Sequence, residues 1–239
     1  MLATARRVAD QLIADRRTLV IILVLPSLLL WLAKYVFAGD PTIFARIGPQ
    51  LLGMFPFIVM FLLTSVTMVR ERTSGTLERL MTTRLGRGEF IGGYALAFGV
   101  AGLVQALVAS AVAIWLLGLE LEGQWIVVLF AVLNALLGAG LGLLASAFAR
   151  TEFQAVQFMP LVVIPQFLLC GLLAPRDSMA DVLGWASDVL PLSYSTDALG
   201  RAIGVNAWNG DFTVDLIVVL GFVLGAVALA SATLRRRTA

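Results

Sequence analysis

Few side chains in this sequence are equipped for covalent chemistry. Among 239 residues there is no histidine, one lysine (Lys34) and one cysteine (Cys170). Without histidine, neither a Ser–His dyad nor an HExxH zinc site can be assembled. A lone cysteine excludes an internal disulfide and a cysteine metal cluster. Lys34 lies in Trp31-Leu32-Ala33-Lys34-Tyr35-Val36-Phe37 rather than in GxxxxGK[ST], so the sequence holds no phosphate-binding loop of that kind and no catalytic residues are assigned. What remains is the chemistry of contact, concentrated between Arg70 and Phe90. Ser74-Gly75 interrupts a helix there, and Thr76 to Met81 reads as a short new one with Leu77, Leu80 and Met81 on its apolar edge. Gly86 and Gly88 end it. A short helix with leucines and charged flanks is suited to docking in a groove of a partner. Packing on its own bundle is the other reading the pattern allows.

The elements around this loop are set by composition. Apolar residues make up 60% of the chain, and its mean hydropathy is +0.95. A soluble domain of this length cannot hide that much apolar surface, whereas lipid can solvate it. A membrane-crossing helix needs about 20 mostly apolar residues. Segments 19–38, 47–69, 90–118, 125–149, 156–174 and 213–234 meet that need, which predicts an all-α polytopic membrane protein with six transmembrane helices. No signal peptide is expected, because 18 residues precede the first span and no A-x-A site follows it.

Arginine placement predicts the orientation. Arg6, Arg7, Arg16, Arg17, Arg70, Arg72, Arg79, Arg84, Arg87, Arg150, Arg235, Arg236 and Arg237 fall on one side of the spans. Lys34, Arg46, Arg176 and Arg201 fall on the other. The positive-inside rule puts the first group, and both termini, in the cytoplasm of a cell inner or plasma membrane. The basic residues flank apolar spans instead of forming one face, so nucleic acid is not the expected partner. Residues 1–18 read as an amphipathic helix. Leu2, Ala5, Val8, Ala9, Leu12 and Ile13 share a face suited to membrane lipid at the headgroup plane, and a charged topogenic tail is the plainer alternative.

Inside the spans the polar groups are uncharged. Gln105, Asn134, Gln157 and Gln166 are candidates either for interhelical hydrogen bonds or for a substrate path. Asp215 is expected near the outer end of the last span, within reach of water. No charge is expected at a span centre, which argues against transport driven by an ion gradient. Gly138-x-x-x-Gly142 and Gly221-x-x-x-Gly225 have the spacing for close helix packing. Pro26, Pro56, Pro160 and Pro165 lie within spans, as static kinks or as hinges. Between the last two spans, residues 175–212 predict an external helical hairpin. Ser178 and Asp181 have capping-box spacing, and Met179, Val182, Leu183, Ala186, Val189 and Leu190 form one apolar face. Asp177, Asp181 and Asp188 face water. Pro191 ends this helix, and a second runs from Tyr194 to Ile203.

Glu71-Arg72-x-x-Gly75-Thr76-Leu77-Glu78-x-Leu80 closely resembles the signature of ABC-2 type transporter permeases, the family of daunorubicin-resistance-like drug exporters and of polysaccharide or lipid exporters. The resemblance extends over the whole chain, including Leu190-Pro191-Leu192-Ser193-Tyr194-x-x-Asp197-Ala198-Leu199. It implies that loop 70–89 holds a coupling helix seated in a separate ATPase subunit, with Gly75, Thr76, Leu77, Glu78 and Leu80 in contact and Glu71 and Arg72 anchoring its base. It implies two ATPase copies carrying ATP and magnesium, no cofactor on this chain, and a second permease chain as homodimer or related heterodimer. It also implies that the external helices re-enter the membrane edge as a gate, with Pro191, Tyr194 and Asp197 as candidates; a hairpin lying flat on the surface is the alternative. Family members often have Pro after the Thr pair of the loop, where this chain has Arg84. The uncharged spans favour a hydrophobic or amphipathic cargo, and the resemblance implies that it is moved outward. An ion-gradient multidrug transporter and a non-transporting scaffold or sensor are the competing classes.

Overall fold

The computed structural model describes residues 1–74, 87–119, 123–202 and 210–233. The described residues form helices and connecting turns. They are α1 (Leu2–Ala14), α2 (Arg16–Val36), α3 (Pro41–Thr73), α4 (Arg87–Ala111), α5 (Gln124–Ser146), α6 (Glu152–Leu169), α7 (Asp181–Asp188), α8 (Pro191–Arg201) and α9 (Gly210–Thr233). A π-helical turn, Val112–Leu116, extends α4. Six of the helices are long and apolar enough to cross a membrane: α2, α3, α4 with its π turn, α5, α6 and α9.

Local chemistry accounts for where the helices start. The Asp15 carboxylate accepts from Thr18 N at 3.2 Å and from Thr18 Oγ1 at 2.6 Å, capping α2. Those bonds favour the ionised form and hold the Asp15 carboxyl below its usual range. Asp40 caps α3 through Thr42 N at 3.1 Å, with Pro41 in the first turn. Thr151 caps α6 through Gln154 N at 3.2 Å, while Gln154 Oε1 accepts from Arg150 N at 2.7 Å. The second span is longer than its hydropathy indicated, because α3 begins at Pro41 and carries a further internal proline, Pro49.

The core is the seam between α3 and α5. A Cβ built on Gly138 would lie 2.2 Å from the carbonyl oxygen of Phe57, and one on Gly142 would lie 2.6 Å from that of Phe61. Only hydrogen fits at these positions, so the two backbones touch along a full turn. The second glycine pair behaves differently: Gly221 and Gly225 have open space where a Cβ would go. Among the described residues their spacing packs nothing, because no described helix lies on that side of α9.

The N-terminal helix also departs from expectation. Ala5, Val8 and Leu12 are buried against protein, chiefly α4, where Thr4 sits on Gly93 and Met1 on Gly92. Leu2 and Ile13 stay exposed. Most of the face expected to meet headgroups is therefore a packing face, because two adjacent glycines of α4 allow α1 to come close.

Candidate functional site

Two polar regions stand out, one at each end of the bundle. The first is the root of the loop after α3. Gly75, Thr76, Leu77, Glu78 and Leu80 lie outside the described residues. Their predicted anchors, Glu71 and Arg72, lie inside them, and three consecutive side chains reach three different helices. Arg70 makes a two-pronged contact with Glu152 of α6, Nε to Oε1 at 2.9 Å and Nη2 to Oε2 at 3.0 Å. Glu71 is buried, and its Oε2 lies 3.7 Å from Nη2 of Arg7 on α1. Arg72 donates through Nη1 to the backbone carbonyl of Ser146, at the last turn of α5. Arg7 also donates to the Tyr94 hydroxyl at 2.6 Å, tying α1 to α4. Sequence reading named Glu71 and Arg72 but missed Arg7, Tyr94 and Glu152. Their distance along the chain hides the cluster, although an arginine on the polar side of an apolar-faced helix was a usable signal.

The second region is the hairpin at the opposite end. Gly171 adopts φ +90°, a left-handed conformation that turns the chain sharply after α6. A 3-10 turn follows, Arg176–Ser178. The expected capping box does not form. Ser178 Oγ donates instead to Pro175 O at 2.7 Å, within that turn, and α7 begins at Asp181 after an uncapped Ala180. Nor does the apolar face of α7 pack inward: Val182, Leu183 and Val189 are exposed, while Ser187 is buried, donating to Leu169 O at 2.7 Å and pairing with Ser193 Oγ at 2.9 Å. Pro191 does not only follow α7. It occupies the first turn of α8, where its missing N–H costs nothing.

α8 enters the bundle. Pro191, Leu192, Ser193, Ser195, Thr196, Ala198 and Leu199 are buried. Asn134 of α5 donates to Ser195 Oγ at 2.6 Å, and the Leu199 side chain fills the space above Gly53 of α3. Two arginines hold it. Arg176 contacts Asp188, donates to Asp197 at 2.6 Å and lies 5.7 Å from the centre of the Tyr194 ring, whose hydroxyl donates to Asp188 O at 2.8 Å. The gate candidates Tyr194 and Asp197 thus meet on one cation that sequence reading had not singled out. Arg201, at the end of α8, binds Asp215 of α9. Asp215 is 5% exposed. The expectation that it reaches water is therefore wrong; a buried carboxylate here is balanced by an arginine from the inserted helix.

The uncharged span residues do not converge. Gln105 is fully buried on α4, and among the described residues neither end of its amide has a partner. Gln166 donates to Val162 O at 3.3 Å within its own helix. Gln157 is exposed on α6. Of these four, and among the described residues, only Asn134 makes the interhelical hydrogen bond that was one of the two expectations.

A six-span bundle with an inserted external helix and a pinned loop root agrees with the resemblance read from the loop motif. The model of the ABC-2 type transporter family matches residues 1–203. The chain is 27% identical over 194 residues to ABC transporter G family member 20 of Dictyostelium discoideum, covering 80% of this chain and 27% of that protein. It is 26% identical over 174 residues to the probable multidrug ABC transporter permease YbhS of Escherichia coli K12, covering 72% and 45%. Over 178 residues it is 26% identical to the linearmycin resistance permease protein LnrN of Bacillus subtilis, again covering 72% and 45%. The matches span less than half the length of these curated relatives. With most of its length matched by the family model, this chain belongs to the ABC-2 type transporter family.

Proposed function

We propose that this chain is a membrane-spanning permease subunit of an ATP-driven exporter whose ATPase is a separate polypeptide. The observation that carries the reading is the loop root. Arg70, Glu71 and Arg72 connect the base of the motif-bearing loop to α6, α1 and α5, so a displacement of the loop is passed to several helices at once. Gly75, Thr76, Leu77, Glu78 and Leu80 form the ATPase contact, and two ATPase copies bind ATP and magnesium. Both termini and the loop face the cytoplasm of the cell membrane, by the arginine distribution. The names of YbhS and LnrN, a multidrug permease and an antibiotic-resistance permease, support a hydrophobic or amphipathic cargo. A second permease chain pairs with this one, and α2 and α6 offer it faces, since each has only 17% of its most apolar stretch buried. The α7–α8 hairpin, with Pro191, Tyr194 and Asp197, closes the outer end of the path.

The test is association. Leu77→Asp combined with Glu78→Arg is expected to abolish co-purification of the ATPase subunit while membrane insertion is retained. Undiminished co-purification would remove the loop from the interface. Transport that persists without any ATPase and collapses with an uncoupler would instead establish the ion-gradient class.

A further inference from the structure

Gln105 and Pro26 have no part in the reading above, and they meet at one depth. Gln105 is 0% exposed on α4, and among the described residues neither the nitrogen nor the oxygen of its amide has a partner. It lies ten residues before Trp115, an exposed indole that marks the headgroup end of the helix. That is about 15 Å deeper, near the middle of a hydrocarbon core of about 30 Å. All six spans are described through this depth. Full burial leaves no water-sized gap against the amide. A polar group so placed raises the free energy of this arrangement, because nothing replaces the hydrogen bonds it gave up.

Two acceptors stand at the same depth. Proline has no N–H, so Pro26 leaves Ile22 O of α2 without its helical donor, and Pro56 does the same to Leu52 O of α3. Each freed carbonyl is directed at the proline ring one turn on. Pro26, Ile22, Pro56 and Leu52 are all buried, so both carbonyls lie on bundle faces. Register brings them to Gln105. α2 and α4 run the same way, and Lys34 Nζ donates to Leu117 O at 2.8 Å. Counting back equally along the two helices from that contact pairs Ile22 with Gln105. Gly53 of α3 lies against Asn134 of α5, and Gly102 of α4 against Ala135, which sets Leu52 within about a turn of Gln105. α4 directs Gly99 and Gly102 at α5, and Val100, Val104 and Val108 outward. At about 100° per residue, Gln105 falls between those faces, on the side where α2 and α3 pack. Its amide nitrogen carries two N–H groups, one for each freed carbonyl. Side chains of neighbouring helices are what ordinarily satisfy such carbonyls within a bilayer. The helix with freedom to move is α2, with 17% of its most apolar stretch buried, against 67% for α3 and 44% for α4.

We infer that Gln105 is a latch, open in this arrangement, whose amide closes on Ile22 O and Leu52 O in a second arrangement reached by movement of α2. The inference needs only that the chain spans a membrane, and it stands apart from the transport reading. It is tested on the purified chain with fluorotryptophan in place of tryptophan, by fluorine NMR in lipid nanodiscs. Trp31, on α2 beyond Pro26, reports the position of that helix, and its signal is assigned with Trp31→Phe. Two exchanging Trp31 environments are expected, as a split signal or as relaxation dispersion. Gln105→Met keeps the length of the side chain and removes its hydrogen-bonding groups. It leaves one Trp31 environment and raises the thermal unfolding midpoint in mild detergent by about 3 °C, because an unpaired amide is gone. Pro26→Ala returns an N–H to Ile22 O and also leaves one environment. A single Trp31 environment in the parent overturns the proposal, as does a second environment that survives Gln105→Met. A lowered midpoint or lost folding in Gln105→Met overturns it too, since the amide would then already be paired. Two environments persisting in Pro26→Ala remove Ile22 O as the acceptor and overturn the latch on α2.

Discussion

Helices α5 and α9 look alike as sequences and occupy opposite situations. Both are apolar, of nearly equal length, and carry a Gly-x-x-x-Gly pair. Yet 72% of the most apolar stretch of α5 is buried, against 22% for α9. The difference lies in what faces the glycines. On α5 they meet the carbonyls of Phe57 and Phe61, and a neighbouring asparagine reaches the inserted α8. On α9 they meet nothing among the described residues, and the helix is held mainly along its other side and through Arg201. Apolarity places a helix in the membrane. Small residues and polar ties place it in the bundle, because lipid solvates leucine as well as protein does.

Three substitutions probe this contrast. The largest effect is expected from Gly138→Val, which drives a branched side chain into the Phe57 backbone. Loss of about 3 kcal/mol or more is expected, comparable to severe overpacking of a core, read as failure to recover folded protein from mild detergent. Recovery at the parental level would mean the α3–α5 seam can open. Next comes Arg201→Leu, which leaves Asp215 buried without its cation. A cost of about 2 kcal/mol is expected, below that of a fully buried pair because Arg201 is partly exposed. Thermal unfolding in detergent measures it. Asp215→Asn in the same background should return part of the loss, and no recovery would assign the effect to packing. The smallest effect belongs to Gly225→Ala, with a stability change within about 0.5 kcal/mol for the isolated chain. A larger loss that depends on protein concentration would show that a second chain covers this side of α9.

How much of this was legible follows from the same physics. The spans were, since a bilayer imposes one length and one polarity on every helix that crosses it. The loop root was partly so: Glu71 and Arg72 sit beside a recognisable motif, but Arg7, Tyr94 and Glu152 join them only through folding. The inserted α8 was the hardest to see. Ser193, Ser195 and Thr196 carry no local sign of burial, yet all three are buried, and Ser187 and Asn134 supply hydrogen-bond partners for two of their hydroxyls. Arg176 stood in the sequence as one loop charge among several aspartates, and nothing local showed that Asp188, Asp197 and Tyr194 would gather on it. The end of α6 was placed late, at 174 rather than Leu169, because Gly171 turns the chain within a still apolar run.

The three ties below the loop have a mechanical consequence. Tension applied at Ser74 is not carried by α3 alone: it divides at once among the first turn of α6, the last turn of α5 and the polar side of α1. Under the coupling role proposed for the loop, stiffness there would set how far a small stroke travels, as a bracket with three bolts transmits a push that a single hinge would absorb. Loosening one bolt should leave the stroke intact at the loop and shrink it at the far end of the bundle.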